Sequence, residues 1–208
     1  PLSTDTIRQL KDLTGAGIIN VYGLTEISPM GTATPWGGKE KPGSVGTPIP
    51  GTDLKIVDLD SGETEMPPGE AGEIVFKGPQ VMKGYYNRPE ETAKVLKDGW
   101  LHTGDIGVLD EDGYLTIVDR KKDMIVASGY NIYPNEIDNI LLQHPKILEA
   151  CVVGVPDAYR GETTKAYIVP APDQSLSEQE VKTFCKEKLA AYKVPKRIEF
   201  VEELPKSA

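Results

Sequence analysis

The sequence has little of the residues that build metal centres and disulfide frameworks. Its 208 residues include only two cysteines, Cys151 and Cys185, and two histidines, His102 and His144. The cysteines are far apart with no CxxC spacing, and the histidines are distant from each other, which argues against a zinc site. Two unpaired thiols are typical of a reducing compartment, so the composition favours the cytoplasm.

Long apolar runs and a surplus of basic charge are also missing. The longest apolar stretches, such as residues 147–156, are shorter than the ~20 residues that cross a bilayer, and no secretory signal pattern is present. The net charge is −9, most of it before residue 119, which argues against nucleic acid as a partner because phosphate contacts need a basic face. The chain opens with proline inside a helix-like pattern, so we expect it to be a piece of a longer protein.

Turn residues divide the first 118 residues into a short α/β segment and a longer β-rich segment. The apolar spacing of residues 4–13 predicts a helix and residues 18–21 predict a strand, so residues 1–30 have the pattern of the end of an α/β layer. The β-rich segment, 31–118, has short apolar runs between glycine-rich turns, which indicates a small distorted barrel or sandwich. Its strands are predicted at 54–57, 72–77, 107–109 and 114–118, with a brief helix that begins near Pro89.

Five consecutive charged residues, 119–123, separate this part from the rest of the chain. Buried strands rarely tolerate such a run, because desolvating unpaired charge is costly, and we therefore predict a hinge. Residues 124–208 follow with the predicted order β-α-β-β-α-β, a compact α+β domain. Its elements are predicted at 124–126, 134–143, 147–155, 164–169, 178–190 and 197–201. The Ser177-x-x-Glu180 pattern predicts that Ser177 caps the helix at 178–190. The predicted fold class is thus α/β plus β, then a hinge, then α+β.

A few polar residues are placed where they could serve chemistry. Thr25 and Glu26 follow the first predicted strand, where a hydroxyl can donate to phosphate and a carboxylate can bind Mg²⁺. Asp105 follows Gly104, and a carboxylate is the usual acceptor for ribose hydroxyls. Arg120 could bind ribose or phosphate oxygens. Taken singly, each residue is more often explained as ordinary turn or surface chemistry.

The combination is more specific than its parts. Eight segments together form a specific pattern: 22–26, 84–90, 98–105, 112–114, 119–123, 128–137, 192–195 and 204–207. In order and spacing, these segments resemble the motifs of the adenylate-forming superfamily, in particular those of the long-chain fatty acid–CoA ligase branch, over essentially the whole chain.

The resemblance implies a two-step reaction. A fatty acid carboxylate attacks the α-phosphate of ATP to give an acyl-adenylate and pyrophosphate, and the thiol of coenzyme A then displaces AMP. Tyr22 would stack on adenine beside Gly23, and Thr25 and Glu26 would be catalytic, with Glu26 holding Mg²⁺. Asp105 would bind the ribose hydroxyls together with Arg120.

The resemblance also assigns roles to residues after the β-rich segment. Lys122 matches the family's hinge position, about which the small domain swings between the two half-reactions. Ser128 and Gly129 would line the tunnel for the pantetheine of coenzyme A, the glycine leaving room for the thiol. Charge alone makes Lys193, Lys196 and Arg197 candidates for the phosphates of coenzyme A.

Two family features are missing from the 208 residues. The Ser/Thr- and Gly-rich phosphate loop should lie upstream of Tyr22, and the catalytic lysine should follow Ser207. Lys206 belongs to another part of that last motif. We therefore expect the chain to be the C-terminal part of a larger AMP-binding domain, 1–118, with a small domain, 124–208, that stops before the catalytic lysine, and we expect these residues alone to be inactive.

Alternative interpretations remain open at this point. The chain could belong to an acyl-AMP ligase that loads a carrier protein, or be a nucleotide-binding fragment without catalysis. The expected partners are a medium- to long-chain fatty acid, ATP and coenzyme A, and no nucleic acid. A cytoplasmic protein is expected, and peripheral attachment to the inner face of the membrane and a homodimer are left open.

Overall fold

The computed structural model describes residues 4–205. Contacts between Cα atoms divide the chain into a first unit, Pro1–Lys121, and a second unit, Lys122–Ala208. Within the described residues no helix has the length and apolar character needed to cross a membrane. The predicted motif at 204–207 lies partly outside the described residues, and Lys206 is one of the residues outside them.

The first unit contains two helices and eight strands among its described residues. The strands form one antiparallel sheet of three strands, β1-β2-β3, and one of five, β4-β5-β7-β6 with β8 also paired to β7. The elements are α1 Thr4–Thr14, β1 Val21–Tyr22, β2 Thr32–Ala33, β3 Thr47–Pro48, β4 Asp53–Val57, β5 Gly72–Lys77, α2 Pro89–Val95, β6 Leu96–Lys97, β7 Trp100–Leu109 and β8 Leu115–Arg120.

The core of the first unit forms because β5 is apolar on both faces. Ile74, Val75 and Phe76 are fully buried, and Phe76 packs in one cluster with Ile27, Val45, Ile56, Leu101 and Leu115. Strands buried on both faces read as continuous apolar runs rather than alternating ones, and the prediction of a strand at 72–77 is confirmed. The predicted first strand, 18–21, was wrong by three residues at its start, and Ile19 is exposed.

The extent of strand β7 differs most from the prediction in this unit. It begins at Trp100 rather than at residue 107, because the polar stretch that breaks the apolar pattern is a bulge inside the strand. Glu73 of β5 pairs with Ile106 and Val75 pairs with His102, so Ile74 alone opposes Thr103, Gly104 and Asp105. Bulges of this kind bend a strand and redirect its side chains, and they are common beside active sites.

Strand β8 also extends further than predicted. It ends at Arg120 rather than at residue 118, so two of the five consecutive charges belong to a strand. Asp119 is only 4% exposed, and one of its carboxylate oxygens accepts a hydrogen bond from the backbone N–H of Arg120. The boundary between the units falls after Lys121. The function of residues 119–123 as a hinge stays a prediction.

Among its described residues, the second unit combines two helices with a five-stranded sheet in the order β10-β9-β12-β11, with β13 paired to β12. The elements are β9 Ile125–Ala127, β10 Tyr130–Ile132, α3 Pro134–Leu141, β11 Ile147–Asp157, β12 Gly161–Pro170, α4 Glu178–Lys188 and β13 Arg197–Phe200. The predicted order β-α-β-β-α-β was therefore wrong by one strand. The pattern failed at β10, whose three residues are too short to show an alternation.

The helices of the second unit cover a single apolar core. Ile137 and Leu141 of α3 and Val181 and Cys185 of α4 are fully buried in one cluster with residues of β9, β11 and β12. Helix α4 begins after Ser177, whose hydroxyl accepts from the backbone N–H of Glu180 at 3.2 Å, as the predicted cap requires.

Candidate functional site

Tyr22 and Asp105 are 83 residues apart in sequence and form a direct hydrogen bond in the first unit. The hydroxyl of Tyr22 donates to Asp105 Oδ2 at 2.6 Å. Burial raises the pKa of Tyr22, and the bond to the Asp105 carboxylate raises it further, so Tyr22 stays neutral and remains a donor at physiological pH. The tyrosine ring lies 6.0 Å from the ring of Phe76, which supports it from the core.

Arg120 faces Asp105 across the ladder between β7 and β8. The Nε atom of Arg120 lies 3.6 Å from Asp105 Oδ1, and the arginine side chain is 63% exposed whereas that of Asp105 is 19% exposed. Tyr22, Asp105 and Arg120 thus form a row in which a half-buried carboxylate stands between a phenol and an exposed guanidinium. The structure brings together these three residues, which the sequence had selected from three different motifs.

Thr25 and Glu26 lie in a short 3-10 turn, Thr25–Ile27, that follows β1. Ile27 is fully buried and anchors the turn, whereas Thr25 is exposed. The hydroxyl of Tyr85 donates to Glu26 Oε1 at 2.8 Å, and this bond raises the pKa of Tyr85. The backbone N–H of Met82 donates to the main-chain carbonyl of Glu26 at 2.8 Å, so the segment that precedes α2 holds both the backbone and the carboxylate of Glu26.

Gly23 is required by the close passage of the backbone. A Cβ atom at this position would lie 1.7 Å from the carbonyl oxygen of Pro29 and 3.0 Å from the Cα atom of Met30. No side chain fits at such distances, because the neighbouring atoms belong to the backbone and cannot rotate away. The glycine in this motif therefore fixes the course of the loop between β1 and β2.

Ser128 and Gly129 form the two-residue turn that joins β9 to β10, where Ala127 pairs with Tyr130. Both have positive φ, 53° and 80°, the combination that two-residue hairpin turns of the primed type need. The turn is exposed, and the backbone N–H of Ser128 donates to the carbonyl of Arg160 at 3.0 Å. Tyr130 stacks on Tyr192 with ring centroids 4.7 Å apart.

The basic residues selected in the second unit differ in their surroundings. Lys122 is exposed and is the first residue of the unit. Lys193 contacts both carboxylate oxygens of Glu136, at 2.7 and 2.6 Å. Burial lowers the pKa of Lys196, and so do the positive charges of Arg160, Lys186 and Lys182. Arg197 is exposed at the start of β13.

The residues that hold the site but were not selected from the sequence include Tyr85, Thr103 and Glu73. Tyr85 lies inside a matching motif, and its hydroxyl gave no separate signal. Thr103 holds the bulge, since its hydroxyl donates to the carbonyl of Ile74 at 2.8 Å and accepts from the N–H of Asp105 at 3.1 Å. Glu73 interrupts an apolar strand, and a charge in a buried strand is a signal that could have identified it.

Carboxylates are present in this site, but a preformed metal cage is not. Within residues 4–205 no group of three or more histidine, cysteine, aspartate or glutamate side chains is arranged to hold a metal ion. A single carboxylate such as Glu26 is consistent with Mg²⁺, which proteins commonly bind through one or two carboxylates together with water and substrate phosphates.

Comparison with known families gives matches to both parts of the chain. Residues 1–86 match the family described as AMP-binding enzyme, and residues 136–208 match the AMP-binding enzyme C-terminal domain. The long-chain-fatty-acid–CoA ligase of Bacillus subtilis strain 168 is 51% identical over 207 residues, which are 100% of this chain and 37% of that protein. The enzyme of the same name from Escherichia coli O6:H1 is 51% identical over 195 residues, 94% of this chain and 34% of that protein.

Solved structures give the same result. The chain superposes on ATP-bound MatB from Rhodopseudomonas palustris with a TM-score of 0.92 at 38% identity, covering 100% of this chain and 41% of that one. Against o-succinylbenzoate CoA synthetase from Bacillus subtilis in complex with its acyl-adenylate intermediate, the TM-score is 0.87 at 37% identity, covering 99% of this chain and 41% of that one. The chain spans about a third of the length of the curated relatives it matches.

Proposed function

Because the chain belongs to the AMP-binding enzyme family, we propose that it is part of a fatty acyl-CoA ligase that converts ATP, a medium- to long-chain fatty acid and coenzyme A into acyl-CoA, AMP and pyrophosphate. The observation that carries this proposal is the row of Tyr22, Asp105 and Arg120 in a chain about half identical to long-chain-fatty-acid–CoA ligases. The remaining residues of the site are consistent with the same chemistry.

Asp105 and Arg120 provide the groups that a ribose needs. The carboxylate of Asp105 can accept from vicinal hydroxyls, and the exposed guanidinium of Arg120 can donate to ribose or phosphate oxygens. Tyr22 keeps one oxygen of Asp105 engaged, at 2.6 Å, which limits the rotation of the carboxylate. Its ring, supported by Phe76, would offer a face to the adenine base.

Thr25 and Glu26 are proposed to act at the phosphates. Thr25 is exposed, and its hydroxyl can donate to a phosphate oxygen as negative charge develops there while the fatty acid carboxylate attacks the α-phosphate and pyrophosphate leaves. Glu26 would hold Mg²⁺, which supplies positive charge to the phosphates when bound. Tyr85 fixes the orientation of that carboxylate by donating to one of its oxygens.

The residues of the second unit are proposed to serve the thioester half-reaction. Lys122 is the proposed pivot, and Ser128 and Gly129 are proposed to lie along the pantetheine chain. The thiolate attacks the acyl carbonyl carbon, a thioester bond forms, and the bond from that carbon to the phosphate oxygen breaks to release AMP. The primed turn holds the Ser128 and Gly129 backbone in a fixed shape, with no side chain at residue 129.

The test replaces the corresponding segment of the Bacillus subtilis relative with residues 1–208, so that the rest of the chimera comes from that relative. The chimera is incubated with ATP, palmitate and coenzyme A, and acyl-CoA is measured by mass spectrometry, with hydroxylamine present in a parallel sample to trap acyl-adenylate. Formation of palmitoyl-CoA supports the proposal. A folded chimera that forms neither product overturns it, and acyl-adenylate without acyl-CoA favours a ligase that loads a carrier protein.

A further inference from the structure

Glu73 is a buried carboxylate in the middle of an apolar strand. It is 5% exposed, and its neighbours Gly72 and Ile74 to Phe76 are buried as well. Taking a carboxylate out of water is unfavourable unless charges and hydrogen bonds compensate it. A side chain that only filled this place in the core would be apolar, so the contacts of the carboxylate indicate what it does.

Both oxygens of Glu73 are engaged, and two of their partners are direct sequence neighbours of Asp105 and Arg120. Oε1 accepts from the backbone N–H of Gly104 at 3.1 Å. Oε2 lies 3.0 Å from Nζ of Lys121 and 3.4 Å from Nδ1 of His102. Burial by itself raises the pKa of Glu73, but these donors outweigh it and hold the pKa below its usual value, so the side chain is ionised at neutral pH.

Gly104 is the central residue of the β7 bulge, directly before Asp105. A bulge leaves backbone groups without a partner in the ladder, and the N–H of Gly104 is satisfied by Glu73 instead. Gly104 has a φ of 73° and open space where a Cβ would be, so no side chain of its own holds it in place. The bond from Glu73 therefore restricts the peptide that orients Asp105.

Lys121 closes the same network from the other strand. Its ammonium group binds Glu73, and its backbone N–H donates to the carbonyl of Gly104 at 2.8 Å. Lys121 follows Arg120 directly, so the contact that holds Lys121 also fixes the end of β8 from which Arg120 extends. Glu73 is thus connected to Asp105 through Gly104 and to Arg120 through Lys121.

We propose that Glu73 is the positioning residue of the nucleotide site: one of its oxygens fixes the bulge that presents Asp105, and the other fixes the strand end that presents Arg120. This inference rests on the proposed nucleotide-binding role of Asp105 and Arg120. Glu73 itself faces the core and has no direct contact with ligand in this scheme, so its effect on ATP is transmitted through Gly104 and Lys121.

Three variants of the chimera test the connections of Glu73 to Gly104 and to Lys121, and a fourth is a control. Glu73→Ala removes both. Glu73→Gln keeps an amide oxygen for the N–H of Gly104 but loses the ion pair, and Lys121→Met loses the ion pair from the other side. Glu70→Gln changes an exposed glutamate in the turn before β5 and is the matched control. For each variant, ATP affinity is measured by calorimetry, kcat by acyl-CoA formation and stability by thermal unfolding.

We expect Glu73→Ala to weaken ATP binding by about tenfold, since a hydrogen bond to a charged group is lost, with little change in kcat among folded molecules. Glu73→Gln and Lys121→Met should weaken it less, and Glu70→Gln should match the wild type. In the 208-residue chain, the Gly104 amide should exchange with solvent faster in Glu73→Ala, while Glu73→Gln should restore much of its protection.

Unchanged ATP affinity in Glu73→Ala, or a lower melting temperature as the only effect of all three site variants, would overturn the inference. Failure of the proposed function has a different signature. A wild-type chimera that binds ATP but makes no acyl-CoA contradicts the proposed ligase activity, whereas the ATP affinities of the variants still decide the role of Glu73.

Discussion

The two units hold their candidate residues by different physical means. In the first unit, Asp105 is placed by side chains: Thr103 and Glu73 satisfy the bulge, and Tyr22 and Arg120 contact the carboxylate. In the second unit, Ser128 and Gly129 are placed by backbone conformation, in an exposed two-residue turn. A site built from side chains depends on distant parts of the sequence, whereas a turn depends on the conformational preferences of its own two residues.

The composition of the chain provides a separate reporter for each unit. Both tryptophans, Trp36 and Trp100, lie in the first unit, and both cysteines lie in the second. Cys185 is fully buried, and burial raises the pKa of its thiol to about 11. In a Cys151→Ser background, labelling of Cys185 near neutral pH therefore measures opening of the second unit, while tryptophan fluorescence measures unfolding of the first.

The largest effect is expected at Gly23. Gly23→Ala places a Cβ atom 1.7 Å from the carbonyl oxygen of Pro29, so the loop must move, and we expect a loss of about 3 kcal/mol in the unfolding free energy of the first unit. Urea unfolding followed by tryptophan fluorescence measures it. Gly17→Ala is the control, because a Cβ at residue 17 meets no atom within 4 Å. Equal stabilities of the two variants would contradict the steric explanation.

The next effect is expected at Asp105. Asp105→Ala removes the acceptor of Tyr22 and the partner of Arg120, and we expect ATP to bind to the chimera about 30-fold more weakly, as for the loss of a charged hydrogen-bond partner. Asp105→Asn keeps one acceptor oxygen and should lose less. Calorimetry with ATP gives the affinities, and Asp53→Asn, at the exposed start of β4, is the control. An affinity equal to that of the wild type in Asp105→Ala would exclude Asp105 from the nucleotide site.

The same contrast explains how much of the fold could be predicted. Segments whose pattern is local were predicted well: the strand 72–77 from its apolar run, and α4 from its serine cap. Segments that depend on pairing with distant residues were not. The apolar pattern did not predict the first part of β7, because the bulge opposite Ile74 breaks the alternation. It did not predict β10 either, because three residues are too few to show an alternation.

The candidate site was predictable to the extent that its residues lie in matching motifs. Tyr22, Asp105 and Arg120 were selected separately, and the hydrogen bond and ion pair that unite them came only from the fold. The charge of Glu73 within an apolar strand was visible in the sequence, but its partners were not, because they are a backbone N–H and a lysine 48 residues away. Contacts of this kind depend on strand register, which a single sequence does not specify.

A smaller effect is expected at Gly129, where the glycine is needed for a different reason from Gly23. A Cβ at residue 129 would meet no atom within 4 Å, but φ is 80°. Gly129→Ala should therefore cost only the strain of a left-handed conformation, about 1 kcal/mol, and Gly129→Asn should cost less because asparagine adopts this conformation more readily. Labelling of Cys185 as a function of urea measures both. A loss as large as that of Gly23→Ala would indicate a steric requirement instead.

The smallest effect is expected at Lys193, where a charge that could have served a ligand is engaged within its own unit. Its ammonium group lies 2.6 Å from one carboxylate oxygen of Glu136, and a partly exposed pair of this kind contributes about 0.5 kcal/mol. We expect Lys193→Met to lower the stability of the second unit by about that amount, measured by Cys185 labelling, and to leave the KM of the chimera for coenzyme A unchanged. Glu136→Gln should have the same effect on stability, because it removes the same pair. A large rise in that KM for Lys193→Met, with no rise for Glu136→Gln, would show that Lys193 leaves Glu136 to bind a phosphate, and the second unit would then also use a side chain placed by the fold for its chemistry.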